Sequence, residues 1–167
     1  MDKTLLQYSI GGFVFVSIAG TLMHFAYEWT GKNGFVGLFA AVNESTWEHM
    51  KLLFFPMLFF EIYQYCKLWK KYPIILYGGL YATLVAAFAI PILFYGYQII
   101  TKKSITLLNL LVFYVSVGIG MILNYMWEDK CKSKRCQTLS VCLALLLTFG
   151  FWVFTYLPPN GILFQEP

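Results

Sequence analysis

A polar stretch begins one of the long apolar runs of this chain: Asn43-Glu44-Ser45-Thr46-Trp47-Glu48-His49-Met50-Lys51. A second polar stretch, His24-Phe25-Ala26-Tyr27-Glu28, ends the apolar run before it. Together the two stretches contain both histidines and three of the eight acidic residues. Apolar runs that end in a few charged and aromatic residues are typical of helices that cross a membrane. The two stretches are therefore predicted to lie at the same membrane surface.

The composition excludes an ordinary water-soluble fold. Of the 167 residues, 59% are hydrophobic and only 12% are charged, which lies outside the range of soluble domains. A hydrocarbon core of roughly 30 Å needs about 20 residues of helix. The predicted fold is an all-α, polytopic transmembrane helical bundle of about five spans, forming a single domain. The predicted spans are residues 5–27, 45–65, 73–97, 105–127 and 139–157.

The segment between the first two spans has a different character. Thr30-Gly31-Lys32-Asn33-Gly34 is a cluster of turn residues. Residues 35–42 are apolar but far too few to cross a bilayer. We predict that they form a short interfacial or re-entrant segment after the first span.

Basic residues are distributed unevenly between the two sides of a five-span topology, with eight on one side and three on the other. The eight are Lys3, Lys67, Lys70, Lys71, Lys130, Lys132, Lys134 and Arg135, and the three are Lys32, Lys102 and Lys103. The positive-inside rule then predicts a cytoplasmic N-terminus and an external C-terminus. The net charge of +4 is explained by this orientation signal, so no nucleic-acid partner is expected.

The same topology places the four cysteines on one side of the membrane. All four, Cys66, Cys131, Cys136 and Cys142, fall at the predicted cytoplasmic side. Thiols stay reduced in the cytoplasm. The sequence therefore predicts no disulfide.

Carboxylates and imidazoles recur at helical spacing in the two polar stretches. His24 and Glu28 are four residues apart and share a helix face, as do Glu44 and Glu48. A loop of about fifteen residues joins the two spans, so they are expected to be antiparallel neighbours. Ligands that project inward from facing helices can hold a divalent cation, with His49 or a water molecule completing the shell. The predicted metal ligands are His24, Glu28, Glu44, Glu48 and His49.

Structural interpretations of the same residues remain open. Ser45-Thr46-Trp47-Glu48 matches a capping box, in which Glu48 returns to the backbone amide of Ser45. Glu28 can meet water at the interface or pair with Lys32. His24 lies about one turn inside the interface, where an ionisable residue needs a partner. A pair between His24 and either Glu44 or Glu48 would be a polar clasp between the two spans.

Three further residues are predicted to contact a bound solute: Asn43, Lys51 and Asn109, the last at the outer end of the fourth span. Lys51 follows Glu48 by three residues, so it can neutralise that carboxylate, extend towards the interface or bind an anionic group. Glu61 and Gln64 face the opposite half of the bundle and are interpreted as a separate structural contact.

Residues 42–56, Val-Asn-Glu-Ser-Thr-Trp-Glu-His-Met-Lys-Leu-Leu-Phe-Phe-Pro, follow His24-Phe25-Ala26-Tyr27-Glu28-Trp29. This combination resembles an uncharacterised family of small bacterial integral membrane proteins. The resemblance implies a multi-spanning protein of the bacterial plasma membrane and implies no activity. It covers most of the chain in length and pattern, and its specific motif lies within residues 24–56.

Three functional hypotheses follow. The first is a non-enzymatic protein that binds or transports a cation or a small polar solute. The second is a membrane-embedded metal-dependent hydrolase, in which the histidines and a carboxylate bind zinc. The third is a structural membrane partner without a site. Besides the lipid bilayer, the expected partners are further copies of the chain or the components of a larger membrane complex, and no HExxH, Walker or dinucleotide motif is present.

Overall fold

The computed structural model describes residues 2–166, and over that range the chain is helical and contains no strand. Six α-helices occur in this order: α1 (Lys3–Trp29), α2 (Gly34–Gly37), α3 (Thr46–Leu68), α4 (Ile75–Thr101), α5 (Thr106–Met126) and α6 (Lys134–Tyr156). A short 3₁₀ helix, Ile162–Phe164, follows α6. The all-helical bundle predicted from the sequence is thus confirmed. Helix ends differ from the predicted bounds by a few residues.

Four helices are long and apolar enough to cross a membrane: α1, α4, α5 and α6. The second predicted span corresponds to α3, which has 23 residues and is about 35 Å long at the helical rise. It is less apolar because its buried residues include Glu48, Lys51 and Glu61. Such residues are tolerated in a membrane helix that faces other helices and not lipid.

α3 is the centre of the bundle. It packs against α1, α4 and α6, while α5 packs against α1 and α4. Fourteen of the 23 residues of α3 are buried, compared with six of the 27 in α1. Large side chains from its middle, among them Phe54 and Phe55, are almost completely covered. The outer helices present apolar side chains to their surroundings, as expected for a lipid environment.

The predicted interfacial or re-entrant segment forms α2 and the irregular residues after it. The side chain of Asn33 caps α2 by accepting from the amides of Phe35 and Val36. Ala40 and Ala41 are buried, and the Phe39 ring packs on Phe55 of α3 with centroids 4.9 Å apart. The segment therefore lies over the end of α3 where that helix begins, between α1 and α6.

The opposite end of the bundle is tied together by the N-terminus. The Asp2 carboxylate caps α1 by accepting from the amide of Thr4 at 2.9 Å. It also accepts from the ammonium of Lys71 at 2.9 Å and from the hydroxyl of Tyr72, both in the α3–α4 connection. We call this end, which contains Asp2 and the α3–α4 and α5–α6 connections, the N-terminal face.

The prediction that no disulfide forms is wrong for one pair. Cys131 and Cys136 are bonded within the α5–α6 connection, with Cα atoms 5.5 Å apart. The prediction rested on the compartment alone. The turn that begins α6 brings the two residues within bonding distance whatever the compartment. Cys66 and Cys142 are free thiols.

Candidate metal site

Three predicted ligands meet where α1 ends and α3 begins. His24 of α1, Glu44 of the connecting loop and His49 of α3 each offer one ligand atom, and these atoms lie within 4.8 Å of one another. The Nε2 atom of His24 is 3.7 Å from Oε1 of Glu44, and the Nε2 atom of His49 is 3.6 Å from Oε2 of Glu44. The carboxylate thus lies between two imidazoles that come from different helices.

The local sequence explains how His49 is oriented. Ser45 is the N-cap of α3, and its hydroxyl accepts from the amide of Glu48 at 3.4 Å. Nδ1 of His49 lies 2.9 Å from the carbonyl oxygen of Ser45. Because a carbonyl only accepts, Nδ1 is the donor in this contact, and Nε2 is the ring nitrogen that faces Glu44. Metal-binding histidines are commonly oriented by a contact of this kind.

Asn43 shapes the loop that carries Glu44. Its side-chain oxygen accepts from the amide of Ser45 at 2.9 Å, which is a turn that asparagine favours. Asn43, predicted as a solute contact, therefore acts on the backbone just before α3. Glu44 itself is 63% exposed, so its carboxylate remains accessible.

A cavity of about 310 Å³ opens beside the three ligands. It is lined by Gly20, Thr21, His24, Phe25, Glu44, His49, Leu52, Thr106, Asn109, Leu110 and Phe113. Asn109 is the predicted solute contact of α5. Its side chain is held by the hydroxyl of Tyr97, which donates to its oxygen, and by Ser104, whose hydroxyl accepts from its nitrogen at 3.0 Å. The cavity leaves space beside the ligands for water or a small solute.

Glu48 does not join these ligands. Its Oε2 atom lies 2.6 Å from the ammonium of Lys51 and accepts from the amide of Val42 at 2.9 Å. Its Oε1 atom accepts from the hydroxyl of Thr155 at 3.1 Å. The capping-box contact expected for Glu48 is therefore replaced, because the amide of Ser45 is already bonded to Asn43.

Lys51 is enclosed by the same group of residues. Its ammonium donates to the carbonyl of Gly37 and to the hydroxyl of Thr155, at 2.8 Å each, and its side chain is completely buried. It thus neutralises Glu48 and fastens α3 to α2 and α6. This is one of the three roles that the sequence left open, and it places Lys51 away from the lining of the cavity.

Glu28 also lies apart from the three ligands. Its carboxylate is 3.5 Å from the ammonium of Lys32, and both side chains are about two-thirds exposed. This is the surface pair that the spacing allowed. Of the five predicted metal ligands, the structure brings together His24, Glu44 and His49.

The three residues fit a divalent transition metal chemically. Two ligand atoms on one tetrahedral zinc lie about 3.3 Å apart, given metal–ligand distances of about 2.0–2.1 Å. The observed separations of 3.6 and 3.7 Å are close to that value and are too long for an N–H···O hydrogen bond. Two imidazoles and a carboxylate suit zinc and its neighbours better than magnesium or calcium, which prefer oxygen ligands.

Thr155 and Tyr97 are the polar residues here that sequence reasoning missed. Thr155 lies 107 residues from Glu48 along the chain, and Tyr97 precedes Asn109 by 12. Neither has a local spacing signal that connects it to its partner. The packing of α6 against α3 brings Thr155 to Glu48, and the short connection between α4 and α5 brings Tyr97 to Asn109.

Comparison with known proteins assigns the chain to a protein family, and the description of that family gives no activity. A profile described as "Family of unknown function (DUF6512)" matches residues 3–167. The chain belongs to this family. The match spans all six helices and both polar stretches, in agreement with the resemblance to an uncharacterised family. No curated protein and no solved structure matches this member of the DUF6512 family.

Proposed function

We propose that the protein binds a divalent transition-metal ion through His24, Glu44 and His49 at the outer end of a membrane helix bundle. The observation that carries the proposal is the contact of His49 Nδ1 with the carbonyl of Ser45, 2.9 Å away. It directs the other ring nitrogen towards Glu44, which has the Nε2 atom of His24 on its other side. Three ligands from two helices and one loop then surround a single point.

The membrane setting supports uptake or sensing of the ion. We place the protein in a bacterial plasma membrane with a cytoplasmic N-terminus, as the excess of basic residues on the N-terminal face suggests. The three ligands are then external, and they are one-third to two-thirds exposed. A small chain without a nucleotide-binding motif suits the cation-binding component of a larger transporter or a homo-oligomer.

The cavity beside the ligands favours one alternative, a metal-dependent hydrolase. Catalytic zinc sites have three protein ligands and keep one position open for water. A hydrolase would also need a general base beside the metal. Glu44 is itself a proposed ligand, and the other two nearby carboxylates, Glu28 and Glu48, pair with Lys32 and Lys51. Binding without chemistry is therefore the better-supported function.

Titration of the purified full-length protein with Zn²⁺ and Co²⁺, followed by calorimetry, tests the proposal. We expect binding of about one ion per chain, as for a site with three protein ligands. Loss of a hydrogen-bond partner outside the ligand set typically weakens metal affinity by about 10–100-fold. His24→Ala, Glu44→Gln and His49→Ala remove ligands themselves, so each should weaken Zn²⁺ affinity by more than that. Glu28→Gln is the matched control, because it removes a nearby carboxylate that pairs only with Lys32.

The opposite result would assign the cluster to packing. If the wild type binds neither metal and His24→Ala lowers thermal stability, the three residues are a polar clasp between α1 and α3. If the wild type binds metal but Glu44→Gln leaves cellular uptake of zinc and cobalt unchanged, the site binds the ion without transporting it.

A further inference from the structure

Glu61 is a carboxyl group in the interior of the bundle, and it has no partner among residues 2–166. It lies on α3, seven residues before the helix ends at Leu68, which is about 10 Å along the helix axis. None of its surface is exposed. Within residues 2–166, no donor bonds to either carboxyl oxygen, and the ion pairs of this range do not include Glu61.

The neighbouring helix leaves room for this carboxyl group. Gly79 of α4 faces it, and a Cβ atom on Gly79 would overlap with Oε2 of Glu61. The hydroxyl of Thr83, one turn further along α4, donates to the carbonyl of Gly79 at 2.9 Å and so is already engaged. The carboxyl group therefore packs on bare backbone that has no free donor for it.

An ionised group in this position would be very unfavourable. Burying an unpaired carboxylate costs far more than burying a neutral polar group, so such groups usually keep a proton. A metal ion would need several oxygen ligands around it, and α4 and α5 contain no Asp, Glu, Lys, Arg or His. A proton needs only one oxygen atom, which makes it the cation that fits Glu61.

Polar side chains lie at intervals between Glu61 and the N-terminal face. Gln64 follows Glu61 by one turn of α3, and its side-chain oxygen accepts from the amide nitrogen of Asn124 on α5 at 2.8 Å. Glu128 follows Asn124 by four residues, just beyond the end of α5. The Oδ1 atom of Asn124 and the Oε2 atom of Glu128 are buried acceptors to which no donor of the described residues bonds. Acceptors of this kind are the groups that water or a mobile proton satisfies.

We propose that Glu61 is a reversible proton-binding site, reached from the N-terminal face through Gln64, Asn124 and Glu128. It is separate from the metal ligands, which lie at the other end of α3. Intramembrane carboxyl groups with a polar route to one surface are typical of proton relays. The proposal therefore adds proton binding to the chain and stands whether or not the outer cluster binds metal.

The charged groups of the surrounding elements lie towards the two ends of the bundle. Those at Glu128 are Asp2, Lys71, Asp129 and Lys130. Those of the other helices packed on α3 are Lys3, His24 and Glu28 of α1 and Lys134 and Arg135 of α6. Burial, together with Asp129, raises the pKa of Glu128, which favours proton uptake at the entrance.

Labelling with dicyclohexylcarbodiimide tests the site in the intact protein, because this apolar reagent reacts with protonated carboxyl groups inside membranes. Peptide mapping by mass spectrometry should locate the label on Glu61 at neutral pH and show that labelling decreases as the pH rises. Glu28 and Glu166, which are exposed, serve as internal controls in the same sample, so no variant has to fold. Labelling of Glu61 no stronger than that of Glu28 would overturn the proposal. Protection by Na⁺ or K⁺ at constant pH would also overturn it and assign an alkali cation to the site.

Infrared spectroscopy tests the route. The carbonyl band of a protonated Glu61, assigned through Glu61→Gln, should shift when the sample is transferred to D₂O. We expect Glu128→Gln and Asn124→Leu to slow this exchange about tenfold or more, as a higher barrier to proton transfer would. Gln7→Leu is the matched control, since Gln7 is an exposed amide of α1 on the same half of the bundle. Equal exchange rates in all four proteins would refute the route.

Discussion

The ammonium of Lys51 lies 2.6 Å from the carboxylate of Glu48, three residues earlier on α3, and both side chains are buried. Thr155 of α6 contacts both members of the pair. The carbonyl of Gly37 and the amide of Val42 complete the set. The first turns of α3 are thus fastened to α6 and to the segment that contains α2.

Removing one charge of this pair should be far more harmful than removing both. Glu48→Gln or Lys51→Met leaves one buried charge without its partner, and we expect each to lower the free energy of unfolding by about 3–5 kcal/mol. The double variant should recover most of that loss. Reversible unfolding in mixed micelles measures the cycle. Glu28→Gln with Lys32→Met is the exposed control pair, and its coupling should stay below about 1 kcal/mol. Additive effects at Glu48 and Lys51 would contradict the contact.

An added methyl group should be tolerated much less well at Gly20 than at Gly11, which lies nine residues earlier on α1. A Cβ atom on Gly20 would overlap with the carbonyl of Leu52 and lie 2.5 Å from the Phe113 ring, whereas one on Gly11 would contact nothing. We expect Gly20→Ala to destabilise the protein by about 1–3 kcal/mol through overpacking. It should also weaken Zn²⁺ binding, because Gly20 lines the cavity beside His24. Gly11→Ala should have no effect on metal binding, and a similar loss in both variants would contradict the close approach of α1 and α3.

The contacts of Asp2 predict a stability change in acid. The hydroxyl of Tyr72 and the ammonium of Lys71 hold the pKa of Asp2 well below its ordinary value of 3.8. A lowered pKa stabilises the fold above the unfolded-state value, and this contribution is lost as the pH falls through the folded-state value. The stability difference between wild type and Asp2→Asn should therefore be constant near neutral pH and shrink below about pH 4. A difference that persists unchanged in strong acid would contradict this role for Asp2.

The number of free thiols before and after reduction tests for the disulfide. Denatured, unreduced protein should have two titratable thiols, those of Cys66 and Cys142, and reduction should raise the number to the four cysteines of the sequence. Alkylation before and after reduction, followed by mass spectrometry, measures both numbers. Four free thiols in protein purified without reductant would mean that Cys131 and Cys136 are not bonded.

Cys66 then reports the orientation of the bundle. It is an exposed thiol near the end of α3, at the N-terminal face. In a Cys142→Ser background, a membrane-impermeant maleimide should fail to label Cys66 in intact cells and should label it after lysis. Labelling in intact cells would place the N-terminal face outside. That result would agree with the oxidising compartment in which disulfides persist and would contradict the positive-inside rule.

The helices were predictable because the bilayer restricts what a chain can do. Backbone polar groups inside lipid must be satisfied within the helix, so long apolar runs identified α1, α4, α5 and α6. The apolar middle of α3 also predicted a helix there, although the charged residues of α3 lower its mean hydropathy. The helix ends are less constrained: the predicted span 73–97 is observed as Ile75–Thr101.

The sequence predicted side-chain partners only for residues that are close in sequence or on adjacent spans. The spacing of Glu28 and Lys32 allowed their pair, and the proximity of two antiparallel spans allowed His24 to meet Glu44. The choice of Glu44 over Glu48 depends on Lys51 and Thr155, and the second of these lies on the last long helix. The spacing of Lys51 allowed a pair with Glu48 but also two other roles, and Thr155 lies outside residues 24–56. The sequence therefore left Glu44 and Glu48 equivalent as partners of His24.

The burial of α3 has a consequence for how the protein is made. A helix that contains Glu48, Lys51 and Glu61 inserts less favourably than a fully apolar one, because a charged residue within a span costs up to about 2.5–3.5 kcal/mol on insertion scales. We expect α3 to enter the bilayer together with α4, which packs against it along much of its length. Nascent chains that stop after residue 72 should leave α3 outside the bilayer, and chains that extend through α4 should insert both helices as a hairpin.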